Sequence, residues 1–235
     1  MKILELFSGT ESFGKVARER GHEVFTIDIN PKFKPSLVKD ISKLYISEIP
    51  DEFQNPDVIW ASPPCTKFSI ATHRHWENQQ PKIETMKDIK LLHDTLRIIF
   101  ELHPKFWFLE NPKGRMRWIM GLPPNTVYYG AYGHPCLKPT DLWGFYPNIN
   151  FKEPDGNEKL GNMSVVLKRD ATSRSVVPKA LCLQIIEALE KEFNHSLETD
   201  SAQVMKTNLS PDIQCYNGEC VYDGQPCNHI KGDGK

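Results

Sequence analysis

The sequence lacks a strong excess of either charge and lacks any long apolar run. Its 29 lysine and arginine residues nearly balance 30 aspartate and glutamate residues, for a net charge of −1. This balance excludes a globally basic nucleic-acid-binding protein, so any such contact must come from a local patch. No apolar run approaches the length of a membrane span, and residues 1–5 predict a strand rather than a signal peptide. We therefore expect a cytoplasmic protein without membrane contact, and a monomer.

Cysteine is also scarce, with 6 residues in 235. A disulfide framework is not indicated, and an isolated cysteine in the body of the chain fits a reducing compartment. The last stretch differs, because its cysteines cluster with a histidine. Four such ligands could hold a tetrahedral zinc ion, although the spacing is not diagnostic and a disordered or redox-sensitive tail is the alternative. The candidate zinc ligands are Cys215, Cys220, Cys227 and His229.

The chain does contain enough apolar residues, 39%, for a substantial core. Short apolar runs alternate with segments of helical periodicity, which predicts an α/β fold with a mostly parallel sheet flanked by helices. We expect a catalytic domain over residues 1–194 and a polar, irregular tail over 195–235. The predicted strands cover residues 3–7, 24–29, 57–61 and 106–109, and the predicted helices cover 12–20, 83–102 and 178–193.

The first candidate site follows the first predicted strand. The turn Ser8-Gly9-Thr10 and the start of the next helix can present backbone N–H groups to a carboxylate. Asp28 ends the second strand, where it could accept both ribose hydroxyls of an adenosyl cofactor. Asp40 is placed to meet an adenine amino group. Glycine turns after strands are common, so this segment alone is weak evidence for a cofactor site.

The second candidate site combines a cysteine with a carboxylate. Cys65 follows Pro63-Pro64 on a stiff loop leaving a predicted strand, and polar residues after it argue against a core position. Glu110 ends another predicted strand, which would lie beside the first if the two are parallel neighbours. A thiolate and a carboxylic acid are the groups needed to attack and protonate a pyrimidine ring. A buried structural cysteine and a turn-capping glutamate are the alternatives.

Basic residues follow both of these groups in the sequence. They could form a local nucleic-acid-binding patch beside the proposed site, or they could lie on an ordinary solvated loop. The candidate nucleic-acid-binding residues are Lys67, Ser69, Arg74, Arg115 and Arg117.

Residues 63–69 match the pattern Pro-Pro-Cys-x-x-Phe-Ser throughout, and residues 110–112 are similar to Glu-Asn-Val. Residues 7–12 resemble Phe-Ala-Gly-x-Gly-Gly, with Glu11 and Ser12 replacing the later glycines. These patterns, in this order, are those of the DNA cytosine-5 methyltransferase family, which the chain resembles over most of its length.

Two further segments carry the same resemblance. Residues 132–140 are similar to Tyr-Gly-x-Pro-Gln-x-Arg-x-Arg, but Cys136 replaces the glutamine, and Lys138 and Thr140 replace the two arginines. Residues 174–178 are similar to the family's Asn-Ser-Val-x-Pro, with Arg174 in place of asparagine. The segment over residues 146–172 is far shorter than the family's target-recognition region, and residues 173–194 would return to complete the cofactor pocket.

The resemblance implies a Rossmann-like fold that binds S-adenosylmethionine and methylates carbon 5 of a cytosine flipped out of DNA. Cys65 would be the nucleophile, Glu110 would contact the ring at N3, and Lys138 could donate to the cytosine carbonyl. The implied cofactor-binding residues are Phe7, Ser8, Gly9, Thr10, Ser12, Phe13, Asp28, Ile29, Asp40, Pro63, Ser175 and Val176.

Three other functions stay open from the sequence. One branch of the family acts on transfer RNA, and the short recognition segment permits that polymer. The unusual residues Glu11, Ser12 and Arg174 around the methionine end permit a modified S-adenosylmethionine. A non-catalytic DNA-binding decoy is the remaining alternative, against which the intact Cys65 and Glu110 argue.

Overall fold

A computed structural model of the chain describes residues 1–68, 75–156 and 175–208, with short strands beyond them, and describes side chains as far as His195. The chain divides into two units, Met1–Glu190 and Lys191–Lys235. The sequence-based domain boundary at residue 194 stays a prediction.

The first unit is built on a seven-stranded sheet with the order β3-β2-β1-β4-β7-β9-β8. The first five strands in that order are parallel, and β9 is antiparallel to both of its neighbours. This sheet confirms the predicted α/β class. The strands are β1 Lys2–Leu6, β2 Glu23–Asp28, β3 Leu37–Val38, β4 Val58–Ala61, β7 Phe106–Pro112, β8 Asn125–Tyr128 and β9 Pro139–Phe145, with a separate hairpin of β5 Trp76–Glu77 and β6 Gln80–Pro81.

The helices follow the predicted positions with three differences. Residues 83–85, predicted as the start of a helix, form a 3-10 turn, the short helix Arg117–Met120 was not predicted, and the last helix continues beyond residue 193. No glycine or proline interrupts residues 194–208, so nothing local ends that helix. The helices are α1 Ser12–Glu19, α2 Met86–Leu102, α3 Arg117–Met120 and α4 Lys179–Asn208, and the 3-10 turns are Pro31–Phe33, Ile41–Lys43, Ile46–Glu48, Asp51–Phe53, Ile83–Thr85 and Tyr129–Tyr132.

The core lies on both faces of the sheet because successive strand residues point to opposite sides. On one face, Phe13 of α1 stacks on Trp60 of β4 with ring centroids 4.5 Å apart, and buried residues of α4 cover them. On the other face, Ile59 packs against buried residues of α2. No helix within the described residues is long and apolar enough to cross a membrane.

The second unit was expected to be irregular, but it contains regular backbone. It holds the end of α4 and a three-stranded antiparallel sheet of β10 Gln214–Tyr216, β11 Glu219–Tyr222 and β12 Gln225–Pro226. The pairing register sets Cys215 opposite Cys220.

Gly144 allows β9 to approach β7 closely. Its φ is +146°, and a Cβ there would lie 2.0 Å from the carbonyl oxygen of Trp107. We expect Gly144→Ala to lower the free energy of unfolding by several kcal/mol, because backbone cannot move aside cheaply. Gly121→Ala is the matched control, since Gly121 also has a positive φ, +76°, but a Cβ there meets nothing within 4 Å. Urea denaturation should give a loss of only about 1 kcal/mol for the control, and equal losses would contradict the close approach.

Candidate active site

Cys65 lies on the loop that leaves β4, and β7 holds that loop from the side. The Asn111 side-chain amide donates a hydrogen bond to the carbonyl of Pro63 at 2.8 Å, and Asn111 is fully buried. The Phe68 N–H donates to the Cys65 carbonyl at 3.0 Å, which closes a turn around the cysteine. The cysteine is partly exposed. A rigid loop thus presents Cys65 near the carboxyl edge of the sheet.

Glu110 lies at the same edge because β4 and β7 are parallel, with Ala61 opposite Leu109. Its side chain is buried, and burial raises the pKa of its carboxyl group above the ordinary value. Tyr129 donates a hydrogen bond to Glu110 Oε1 at 2.9 Å, and Ser62 also hydrogen-bonds the carboxyl group. The strand pairing therefore brings the thiol and a carboxyl group of raised pKa to the same edge of the sheet.

Lys138 faces both groups from the start of β9. Burial lowers the pKa of its ammonium group, and the charges of Glu110 and Cys65 oppose that shift. The Lys138 Nζ atom lies 4.4 Å from the centroid of the Tyr129 ring. The fold thus brings three residues that are far apart in the sequence close enough for their charges to interact: Cys65, Glu110 and Lys138.

The proposed cofactor loop follows β1 and is tied to the end of β2. Phe7 and Gly9 have positive φ angles of 58° and 47°, so the backbone reverses sharply here. Asp28 accepts hydrogen bonds from the Gly9 N–H at 2.9 Å and the Asn30 N–H at 2.8 Å. Asp28 therefore holds the loop in shape, and the remaining lone pairs of its oxygens can still accept from a ligand.

The two residues that replace glycines in this loop have partners of their own. Glu11 has a left-handed backbone, and its carboxylate forms an ion pair with Arg18 at 2.6 Å. Ser12 accepts a hydrogen bond from the Val177 N–H at 3.2 Å. The segment that precedes α4 is thus attached directly to the loop, and Glu11 is engaged with α1.

Other predicted cofactor residues lie around this loop in different environments. Ile29 is 65% exposed at the end of β2, whereas Phe13 is buried against Trp60 and cannot offer its ring to a ligand. Asp40 accepts from the N–H and hydroxyl of Ser42. The others are placed as follows: Thr10 hydrogen-bonds Ser12, Pro63 is buried, and Ser175 and Val176 are exposed just before Val177.

Glu5 was not among the predicted site residues, although it lies beneath the cofactor loop. It is buried in β1, accepts a hydrogen bond from the Gly14 N–H at 3.0 Å, and burial raises its pKa to about 8. A Cβ on Gly14 would lie 2.4 Å from the Glu5 carboxylate oxygen, so only glycine fits there without a shift. A charged residue inside an apolar strand was the available signal in the sequence.

The basic residues predicted to bind nucleic acid have different interaction partners in the structure. Lys67 lies 3.3 Å from His75 Nδ1, and the Arg115 guanidinium stacks over Trp118 at 5.5 Å. Arg117 forms two hydrogen bonds of 2.6 Å with the buried carboxylate of Asp141, which favours a structural role for its guanidinium. Ser69 and Arg74 lie outside the described residues.

The structure describes only some of the candidate zinc ligands. Among the residues whose side chains are described, no group of three or more histidine, cysteine, aspartate or glutamate residues could hold a metal ion. Cys215 and Cys220 are described in backbone only, and Cys227 and His229 lie outside the described residues. The zinc site stays a prediction.

Comparison with known proteins defines the class. The sequence model of C-5 cytosine-specific DNA methylases matches residues 1–117. A "Probable DNA (cytosine-5)-methyltransferase" of Frog virus 3 (isolate Goorha) is 34% identical over 184 residues, covering 69% of this chain and 79% of that protein. The type II methyltransferase M.CviJI of Paramecium bursaria Chlorella virus IL3A is 33% identical over 119 residues, covering 47% of this chain and 30% of that protein.

Two solved structures are similar in part. Spodoptera frugiperda DNMT2 has a TM-score of 0.43 and 23% identity, covering 66% of this chain and 53% of that chain. Entamoeba histolytica methyltransferase EhMeth has a TM-score of 0.44 and 17% identity, covering 73% of this chain and 61% of that chain. On the viral relative and the family match, this chain belongs to the C-5 cytosine-specific DNA methylase family, which confirms the predicted family.

The buried Glu5 predicts a specific pH dependence of stability. Its folded pKa of about 8 lies above the ordinary value of 4.5, so the folded chain holds a proton that the unfolded chain releases. The stabilisation is complete below about pH 4.5 and is lost as the pH rises to about 8. We expect Glu5→Gln to flatten this part of the stability curve by a few kcal/mol in denaturation measured from pH 5 to 9. Glu23→Gln, at the exposed start of β2, controls for the loss of a carboxylate elsewhere; the same flattening there would contradict the assignment.

Proposed function

We propose that this chain methylates carbon 5 of cytosine in DNA, using S-adenosylmethionine and a covalent adduct with Cys65. The observation that carries the proposal is the neighbouring placement of Cys65 and the buried Glu110 at the ends of two adjacent parallel strands. Membership of the C-5 cytosine-specific DNA methylase family supports the same reaction.

The addition step needs a nucleophile and an acid on opposite parts of one ring. The Cys65 thiolate forms a bond to carbon 6, and its electron pair displaces ring electrons toward N3. Glu110 gives its proton to N3, which neutralises the charge that develops there. Burial suits Glu110 to this role, because it raises the pKa of the carboxyl group and so favours the protonated form over the carboxylate. Lys138, beside both groups, can stabilise charge on the neighbouring cytosine carbonyl.

The residues around the β1 loop fit S-adenosylmethionine. The Ser8 hydroxyl is buried and, among the described residues, has no hydrogen-bond partner, so it can contact a polar group of the cofactor. Asp28 can accept from the ribose hydroxyls, and the exposed Ile29 offers an apolar surface to the adenine. The Arg18 ion pair holds Glu11 away from the cofactor carboxylate. When bound, the cofactor supplies an electrophilic methyl group to carbon 5.

Release restores the enzyme. The proton on carbon 5 passes to a solvent water, its bonding electrons re-form the double bond between carbons 5 and 6, and the bond from Cys65 to carbon 6 breaks so that Cys65 departs as a thiolate. Glu110 takes its proton back from N3, which leaves a neutral 5-methylcytosine. A cytosine stacked in a duplex cannot reach Cys65, so the base must leave the helix at a cost of a few kcal/mol. Lys67 and Arg115, which flank the proposed site, are the described basic residues that we expect to contact phosphates.

The covalent step predicts that Cys65→Ser abolishes methyl transfer. Serine is a much weaker nucleophile at neutral pH, so transfer from labelled S-adenosylmethionine to a cytosine-containing duplex should fall below detection. Cofactor affinity, measured by calorimetry, should stay within about 3-fold because the thiol lies outside the cofactor loop.

The same step predicts that a duplex containing 5-fluorocytosine traps the wild-type enzyme as a covalent adduct. Fluorine cannot leave carbon 5 as a proton does, so the bond to Cys65 is not broken. An unsubstituted duplex is the control, and denaturing electrophoresis with mass spectrometry would detect the adduct. Turnover by Cys65→Ser, or an adduct at another residue, would contradict the mechanism. Methylation of RNA but not DNA would overturn the choice of polymer alone.

The cofactor assignment predicts that Asp28→Asn weakens S-adenosylmethionine binding by roughly 10-fold or more, the value of a hydrogen bond to a charged group. Asparagine keeps one oxygen for the Gly9 N–H, but its amide nitrogen cannot accept from the Asn30 N–H, so a thermal denaturation curve is measured beside the affinity to detect a disturbed loop. Asp57→Asn is the matched control, because Asp57 also accepts a backbone N–H, from Lys2 at 2.6 Å, at the opposite end of the sheet. Equal affinities for all three proteins by calorimetry would place the cofactor elsewhere.

A further inference from the structure

Tyr129 lies next to the proposed acid but plays no part in the reaction described above. It begins the 3-10 turn after β8, and its side chain is fully buried. Its hydroxyl donates to Glu110 Oε1 at 2.9 Å and is hydrogen-bonded in turn by the Thr140 hydroxyl. A buried tyrosine and a buried glutamate therefore share one specific bond.

Thr140 occupies the position where the family pattern has its second arginine. It is completely buried in β9, where its hydroxyl donates to the Lys138 carbonyl at 3.2 Å and also hydrogen-bonds the Tyr129 hydroxyl. A threonine cannot reach or charge-stabilise a carboxyl group as an arginine fork does. The Tyr129 hydroxyl instead supplies a neutral donor to Glu110.

Contacts on its ring hold Tyr129 in place. The Lys138 ammonium lies 4.4 Å from the ring centroid, a favourable cation–π distance. His134 packs edge-on against the same ring, with centroids 6.0 Å apart. The ring is therefore fixed between two side chains from the following loop, and the hydroxyl direction is fixed with it.

We propose that Tyr129 is a positioning residue for Glu110, and that its hydroxyl orients the carboxyl group so that Oε2 presents the proton to the cytosine ring. The Tyr129 hydroxyl donates its hydrogen to Oε1 of Glu110, so Oε1 acts as an acceptor in this bond. The acidic proton of Glu110 therefore belongs on Oε2. This inference rests on the proposed role of Glu110 as the proton donor.

The sign of the electrostatic effect follows from the same bond. A donor to a carboxyl group favours its ionised form, so loss of the Tyr129 hydroxyl raises the Glu110 pKa further. Among the described residues, the other groups that face this pair include the ammonium of Lys138, the ring of His134, the hydroxyls of Ser62 and Thr140 and the thiol of Cys182. Tyr129→Phe keeps all of these side chains and removes only the hydroxyl between Glu110 and Thr140.

Tyr129→Phe is the test, because it removes the hydroxyl and keeps the ring that Lys138 and His134 contact. We expect kcat for methyl transfer to fall roughly 10- to 100-fold, the effect of one hydrogen bond to an ionisable group. KM for DNA and for S-adenosylmethionine should change little. The high-pH limb of the rate profile, which reports deprotonation of Glu110, should move to higher pH.

Tyr132→Phe is the matched control. Tyr132 is a mostly buried tyrosine in the same turn, and its hydroxyl bonds Gln184 at 2.6 Å and the Lys152 N–H at 2.8 Å instead of Glu110. We expect this variant to lose stability while keeping the wild-type pH profile. An equal shift in both variants would show a general loss of packing and would overturn the proposal.

A second measurement does not depend on turnover. Infrared difference spectra during a pH titration should show a protonated carboxyl band that Glu110→Gln lacks, and Tyr129→Phe should shift its titration to higher pH. Wild-type enzyme without transferase activity would overturn the proposed function, and the infrared titration would still decide the Tyr129–Glu110 coupling. Active wild type with unchanged kcat, pH limb and infrared titration in Tyr129→Phe would overturn the positioning role alone.

Discussion

The parallel pairing of β4 with β7 is the constraint on which the candidate site depends. The register that sets Ala61 opposite Leu109 also sets the loop of Cys65 beside Glu110, because both chains leave the sheet at the same edge. Trp60, between Phe13 and Phe108, anchors this pairing in the core. A one-residue slip would turn Glu110 to the opposite face and separate it from the thiol. Packing that looks remote from the chemistry therefore determines whether the two groups meet.

The local pattern of the sequence was sufficient to locate four of the seven strands of the main sheet and the three longer helices. Apolar runs bounded by turns located β1, β2, β4 and β7, and helical periodicity located α2. The extension of α4 was missed because polar composition suggested a loop, whereas the absence of glycine and proline permits a helix. These strands and helices can be recognised from neighbouring residues alone, which explains why the sequence predicted them.

The sequence predicted a site residue only where the residue lies in a recognisable motif. Cys65 and Glu110 could be selected that way, but Tyr129 could not, because its bond to Glu110 arises from the pairing of β9 with β7 and β8. Glu5 was overlooked although a charged residue inside an apolar strand was a signal, because the sequence alone does not show that both α1 and the sheet bury it. The ion pair between Arg117 and Asp141 could not be predicted either, because it forms only in the fold.

The hydrogen bond from Asn111 to the Pro63 carbonyl has a mechanical consequence. It joins the backbone two residues before Cys65 to the residue directly after Glu110, so a single bond ties together the segments that carry the two candidate catalytic groups. Under the proposed mechanism, the spacing between nucleophile and acid is therefore set within the sheet and its first loop. That spacing would not depend on how the rest of the protein holds a large and irregular polymer.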